Sequence, residues 1–237
     1  MDIGLNSNLI YALDLVGTAS FAFSGALRGL GRRPDIVGIT ILAGATAIGG
    51  GIVRDAILQQ QVKMLWDVNY LLVILASAIV TYLFPRALSS RESFFKYFDA
   101  INLGIFSAIG ASIAWKLGHD AQFLQQVHAT PWYKGTNPLS VLFFAAITGA
   151  GGGVIRDILL NRVPLVLYKE IYILAVILGA GAMIVVRESG GGEDVGFLTA
   201  MSITTAVRVL AIRFNWTLPR AKYVPDWARR DEQEEQG

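Results

Sequence analysis

Residues Thr46–Leu58 read TAIGGGIVRDAIL, and Thr148–Leu160 read TGAGGGVIRDILL. The thirteen positions align without a gap at an offset of 102, and seven are identical: the threonines, three glycine pairs, Arg54/Arg156, Asp55/Asp157 and Leu58/Leu160. Both copies lie inside apolar runs long enough to cross a bilayer, where about 20 residues suffice. Leu65 and Tyr70 find Leu167 and Tyr172 at the same offset, and Asp14, Phe21, Gly25 and Ala26 find Asp99, Phe106, Gly110 and Ala111 at an offset of 85. The chain therefore repeats a unit that precedes and follows each glycine motif.

Composition sets the class. Of 237 residues 54% are hydrophobic and 16% charged, whereas a soluble domain carries about 25% charged residues. The apolar residues gather into seven blocks: Leu9–Leu27, Ile36–Leu58, Val68–Phe84, Phe94–Trp115, Leu139–Leu160, Tyr168–Val186 and Val195–Ile212. This predicts an all-α polytopic membrane protein with seven transmembrane helices. Asp35 after Pro34 is a cap for the second span, and Asn137 before Pro138 a cap for the fifth. The repeats cover about 9–84 and 94–186, the seventh helix about 195–212, and the transmembrane domain 1–218; residues 219–237 form a polar cytoplasmic tail. A repeat of three spans must invert across the bilayer, so the architecture is a 3+3 inverted repeat plus one helix.

Loops one, three and five with the tail hold 13 basic residues, the opposite loops four, and the spans three. Basic residues favour the cytoplasm, which places the C-terminus inside and the N-terminus outside. A net charge of +2 gives no reason to expect nucleic acid, and zero cysteines exclude thiol chemistry. No activated nucleophile or phosphate-binding motif is present, so the sequence predicts no enzyme. His119 and His128 fall in the long fourth loop without metal-ligand spacing, and no metal or cofactor is expected.

Three glycines give up about 3 kcal/mol of helix preference relative to alanine. Two readings are open. Gly49, Gly50, Gly51 and Gly151, Gly152, Gly153 either let helices approach closely, or they kink and unwind spans two and five near mid-membrane, exposing carbonyls that bind a cation. Arg54 lies about 6 Å inside the outer end of its span. Inverted symmetry predicts two counter-charge pairs, Asp14 with Arg54 and Asp99 with Arg156, one at each mouth. The alternative is that each arginine snorkels and favours the negative end of its helix. Asp55 and Asp157 follow directly, point to other faces, and cap loops or meet an interface.

Two copies of GGG-x-x-R-D on spans two and five, with a closing RVLAIRFNWTLP, resemble the prokaryotic branch of the trimeric intracellular cation (TRIC) channel family. The resemblance covers about residues 9–218. It implies a homotrimer in the cell membrane (the inner membrane), with a pore inside each protomer that passes monovalent cations, K+ above Na+. It implies kinks at both glycine triplets, and gating and lipid-headgroup contacts at Arg54 and Arg156. Bacterial relatives are also proposed to carry glycine, so a transporter for a small zwitterion at the same midplane site is the alternative.

Overall fold

In the computed structural model, residues 7–86, 92–120, 123, 137–168 and 171–216 are described. Among them are seven long helices, α1 (Ser7–Gly29), α2 (Ile36–Ile57), α3 (Val68–Leu83), α4 (Glu92–Gly118), α5 (Pro138–Leu159), α6 (Tyr172–Glu188) and α7 (Glu193–Phe214), together with one helical turn at Leu165–Tyr168. Five of them, α1, α2, α4, α5 and α7, are long and apolar enough to cross a membrane. The shorter α3 is apolar as well. The tail, most of the fourth loop and His128 lie outside the described residues.

The repeat is visible in how the helices start and stop. The Asp35 carboxylate accepts from the Gly38 amide at 2.7 Å, and the Asn137 side chain accepts from the Leu139 amide at 3.0 Å with Pro138 in the first turn. Both caps satisfy amides that the first turn leaves unpaired. At the other end Gln59 and Asn161 adopt left-handed φ values of 53° and 50°. The amides of Gln60 and Arg162 then return to the carbonyls of Asp55 and Asp157, each at 2.8 Å. These are matching C-terminal turns of the left-handed type. The capping residues, the left-handed residues and the returning amide–carbonyl pairs keep the offset of 102.

The two copies run in opposite directions. Along α2 and α5, Thr46 meets Gly152 while Gly50 meets Thr148, so one number falls as the other rises. Within each repeat the first helix packs antiparallel on the second: Gly25 faces Leu42 and Thr46, and Gly110 faces Phe144 and Thr148. The core between them is rich in alanine, including Ala22, Ala26, Ala43, Ala47, Ala111 and Ala145. In a bilayer, where apolar side chains gain little by leaving lipid, small residues allow the close packing that holds helices together. Helix α7 uses the same device outside the repeats. It lies over Gly104 of α4 and Gly179 of α6, where an added Cβ would stand 2.8 Å from the Met201 carbonyl and 2.6 Å from the Ala200 carbonyl.

Candidate functional site

The glycine triplets are where α2 and α5 cross. A Cβ on Gly50 would stand 2.5 Å from the Thr148 carbonyl oxygen, and one on Gly151 would stand 2.9 Å from Gly50 Cα. A Cβ on Gly152 would overlap the Thr46 carbonyl oxygen. Gly50 and Gly152 are equivalent in the repeat, so the internal two-fold axis passes through their contact. The expected unwound turns are absent: α2 is continuous from Ile36 to Ile57 and α5 from Pro138 to Leu159. Close backbone contact explains Gly50, Gly151 and Gly152, and that contact holds the helices together where propensity alone would weaken them. A Cβ on Gly49 would press on the side-chain end of Ile155, at 2.7 Å from Cδ1, whereas Gly153 has roomier surroundings, with a Cβ 3.6 Å from the Arg156 guanidinium. Thr46 and Thr148 are buried beside the crossing, and each donates its hydroxyl to its own helix four residues back at 2.6 Å.

The first helices of the two repeats meet along matching stripes. On α1 the stripe is Asp14, Gly17, Thr18, Phe21 and Gly25; on α4 it is Asp99, Asn102, Leu103, Phe106 and Gly110, a helical i, i+3, i+4, i+7 pattern. At the centre Phe21 stacks on its repeat mate Phe106, with ring centroids 5.1 Å apart and planes 11° from parallel. Toward one end of this pair, Asp14 Oδ1 and Thr18 Oγ1 are buried without a hydrogen-bond partner; toward the other end, so are Asp99 Oδ1 and both polar atoms of Asn102. Buried polar atoms are paired in the great majority of cases, and here five unpartnered ones lie on two facing stripes on either side of one aromatic layer.

Neither predicted counter-charge pair is among the ion pairs recorded for the described residues. Asp14 Oδ2 accepts from the Tyr70 hydroxyl at 2.6 Å, and Arg54 Nε donates to its neighbour Asp55 at 2.7 Å. Arg54 still acts on Asp14 electrostatically, without touching it. In the second repeat Arg156 Nε donates to Asp157 at 2.9 Å, and Nη1 donates across to Ser24 of α1 at 2.9 Å. Tyr172, the repeat mate of Tyr70, is the tyrosine that acts on Asp99. Adjacent residues on a helix do not ordinarily face one another. The long arginine side chains fold back at the helix ends, so Asp55 and Asp157 take the role expected of Asp14 and Asp99. Neither arginine snorkels to water: Arg54 is 5% exposed and Arg156 0%.

Asp157 does cap a loop. Its Oδ2 accepts from the Leu165 amide at 3.1 Å, which starts the turn Leu165–Tyr168, and Arg28 stands 3.7 Å from Oδ1. Arg208 of α7 lies 4.8 Å above the Tyr172 ring. Sequence reading assigned no role to Tyr70, Tyr172, Ser24, Asn102 or Arg208. The tyrosines carried a signal, since they matched at the repeat offset; Ser24 and Asn102 match Ile109 and Gly17 and carried none. Asp67 caps α3 and accepts from the Tyr11 hydroxyl at 2.6 Å and the Asn69 amide at 2.9 Å. The tyrosine and the amide hold its carboxyl below the usual carboxylate range. His119 places Nδ1 2.9 Å from the Trp115 carbonyl.

The chain is similar to known proteins. The profile of the Glycine transporter family matches residues 11–86 and 129–188. The UPF0126 membrane protein YvgT of Bacillus subtilis is 34% identical over 89% of this chain and 96% of its own length. The UPF0126 inner membrane protein YadS of Escherichia coli is 33% identical over 89% and 95%. Among solved structures, a TRIC cation channel studied for its conductance superposes with a TM-score of 0.77 at 30% identity, covering 90% of this chain and 98% of that one. The trimeric channel orthologue from Rhodobacter sphaeroides gives 0.75 at 27% identity, covering 89% and 100%. The chain is a membrane protein of the Glycine transporter (UPF0126) family and a prokaryotic member of the TRIC family.

Proposed function

We propose that the protein is a monovalent cation channel, with K+ as the main permeant ion and a pore inside each protomer of a homotrimer. All seven long helices cross the membrane in this reading, with the N-terminus outside and the C-terminus in the cytoplasm of a cell whose inner membrane holds the protein. The carrying observation is the double row of buried oxygens without partners, Asp14 Oδ1 and Thr18 Oγ1 on α1, Asn102 Oδ1 and Asp99 Oδ1 on α4. An unpaired carboxylate oxygen in a low-dielectric interior is costly, and a dehydrating cation supplies what it lacks. Rings and rows of oxygens replace ion hydration in known selective pores. The arginines do not oppose this, because Asp55 and Asp157 neutralise Arg54 and Arg156 at the point of contact. Gating at the glycine crossing and these arginines follows from their position: α2 and α5 touch backbone to backbone there, and any change in crossing angle moves both arginine-bearing ends. The likeness to trimeric TRIC channels supports the oligomeric state.

The second reading is a carrier for a small zwitterion such as glycine. It is favoured by unpartnered donors, Arg208 Nε and Asn102 Nδ2, in the same interior as the unpartnered acceptor Asp99 Oδ1. The unbroken backbones of α2 and α5 weigh against it, since they offer no free amides or carbonyls for a broken-helix site.

Purified protein reconstituted in planar bilayers under a KCl gradient tests the choice. The channel reading expects stepwise currents that reverse near the K+ equilibrium potential and no saturable uptake of labelled glycine by proteoliposomes. Glycine uptake that saturates and is competed by unlabelled glycine, without such currents, overturns it.

A further inference from the structure

We propose that the stacked pair Phe21 and Phe106 is the hydrophobic barrier of the pathway, the layer that must part or wet for an ion to pass from the Asp14 half to the Asp99 half. This rests on the conduction proposed above and names the residues that control it.

Three observations place the barrier there. Phe21 and Phe106 are repeat mates, so their stack sits on the internal two-fold axis, as the Gly50–Gly152 contact does. Both rings are 1% exposed, and the buried oxygens without partners lie on the same two stripes, one group on each side of the rings. A purely structural aromatic layer would be expected among apolar neighbours along its stripe. Here the positions one turn away are Thr18 and Asn102, two polar side chains left unsatisfied. Phe106 also rests in space that Gly17 leaves open: a Cβ on Gly17 would stand 2.8 Å from Phe106 Cε2. A ring pair in a narrow polar path excludes water, and a constriction without water blocks ions even where its geometric opening is not closed.

The glycine crossing supplies a way to move the barrier. Gly25 of α1 packs on Thr46 of α2, and Gly110 of α4 packs on Thr148 of α5. Both contacts lie one turn from the phenylalanines on the same stripes, so a rotation of α2 against α5 is carried to both rings at once.

Single-channel recording of Phe21→Thr and Phe106→Thr beside wild type is the test, with trimer elution and thermal melting as checks of folding. The expected result is loss of the long closed dwells in both variants, with unitary current unchanged or raised, while Phe21→Leu keeps the closed dwells. If the threonine variants do not fold, Phe21→Tyr and Phe106→Tyr keep the ring and add a hydroxyl, and closed dwells shorten in both. Folded variants that melt lower but gate as wild type show a packing role alone and overturn the proposal. Absence of any cation current from the wild-type protein overturns the conduction reading beneath it as well.

Discussion

Gly152→Ala distinguishes a helix-breaking role for the glycines from a packing role, because the two predict opposite signs. If the triplet existed to weaken the helix, alanine would strengthen it by about 1 kcal/mol. In the structure the added methyl would overlap the Thr46 carbonyl oxygen and stand 3.0 Å from the Thr46 carbonyl carbon. The obstacle is backbone, which has no rotamer to yield, so α2 and α5 must separate along the whole crossing. Overpacking costs about 1–3 kcal/mol, and a backbone obstacle belongs at the upper end. Subtracting the propensity gain leaves a loss of about 2 kcal/mol. For a chain of this length that lowers Tm by about 4–8 °C. Gly181→Ala is the internal control. It lies in α6 with nothing within 4 Å of an added Cβ, so it should keep the propensity gain and raise Tm by about 2–4 °C. Thermal melting of the detergent-solubilised protein, followed by intrinsic fluorescence, reads both. A Gly152→Ala protein at least as stable as Gly181→Ala would refute the packing explanation.

Other substitutions report on the ends of the path. Tyr70→Phe removes the hydrogen bond to Asp14, and losing such a bond to a charged group should cost about 1.5–3 kcal/mol, seen as a lower melting temperature. Ser24→Ala removes the hydroxyl that accepts from Arg156 Nη1; a loss of about 1–3 kcal/mol is expected in the same melt, and Ser24→Thr should restore most of it. Asp35→Ala removes the α2 cap and should cost about 1 kcal/mol without changing unitary current in bilayer recordings. The pH dependence at Asp67 has a definite sign. Its carboxyl sits below the usual range when folded, so its contribution is complete above the unfolded value of about 3.9 and is lost as pH falls through the folded value. Melting temperature should therefore fall below about pH 4 in wild type, and less so in Tyr11→Phe.

The helices were legible because their punctuation is local. Asp35, Asn137 and Pro138 fix two helix starts within a residue, and α2 and α5 end one residue short of the expected Leu58 and Leu160. The sixth helix begins at Tyr172 and not at Tyr168, because Asp157, eight residues upstream, captures the Leu165 amide and sets a separate turn. The glycine triplets show what local reasoning leaves open. Propensity counts the cost of each glycine to its own helix, whereas the contact that offsets this cost comes from a helix about a hundred residues away. The arginines failed for a related reason. Their repeat symmetry and depth were readable, but the choice between Asp14 and Asp55 as partner depends on side-chain paths that spacing does not encode. The stripes Asp14–Gly25 and Asp99–Gly110 were present in the repeat alignment. What made Thr18, Asn102 and the phenylalanine stack meaningful was burial, which a sequence without coordinates does not provide.

The most direct test of conduction along these stripes is unitary K+ current in wild type, Asp14→Asn and Asp99→Asn, recorded from folded trimers under the same KCl gradient. The account predicts cation currents in wild type and a smaller unitary current in each variant, since each removes a buried carboxylate oxygen from the path. Wild-type currents that both variants leave unchanged in size would contradict it.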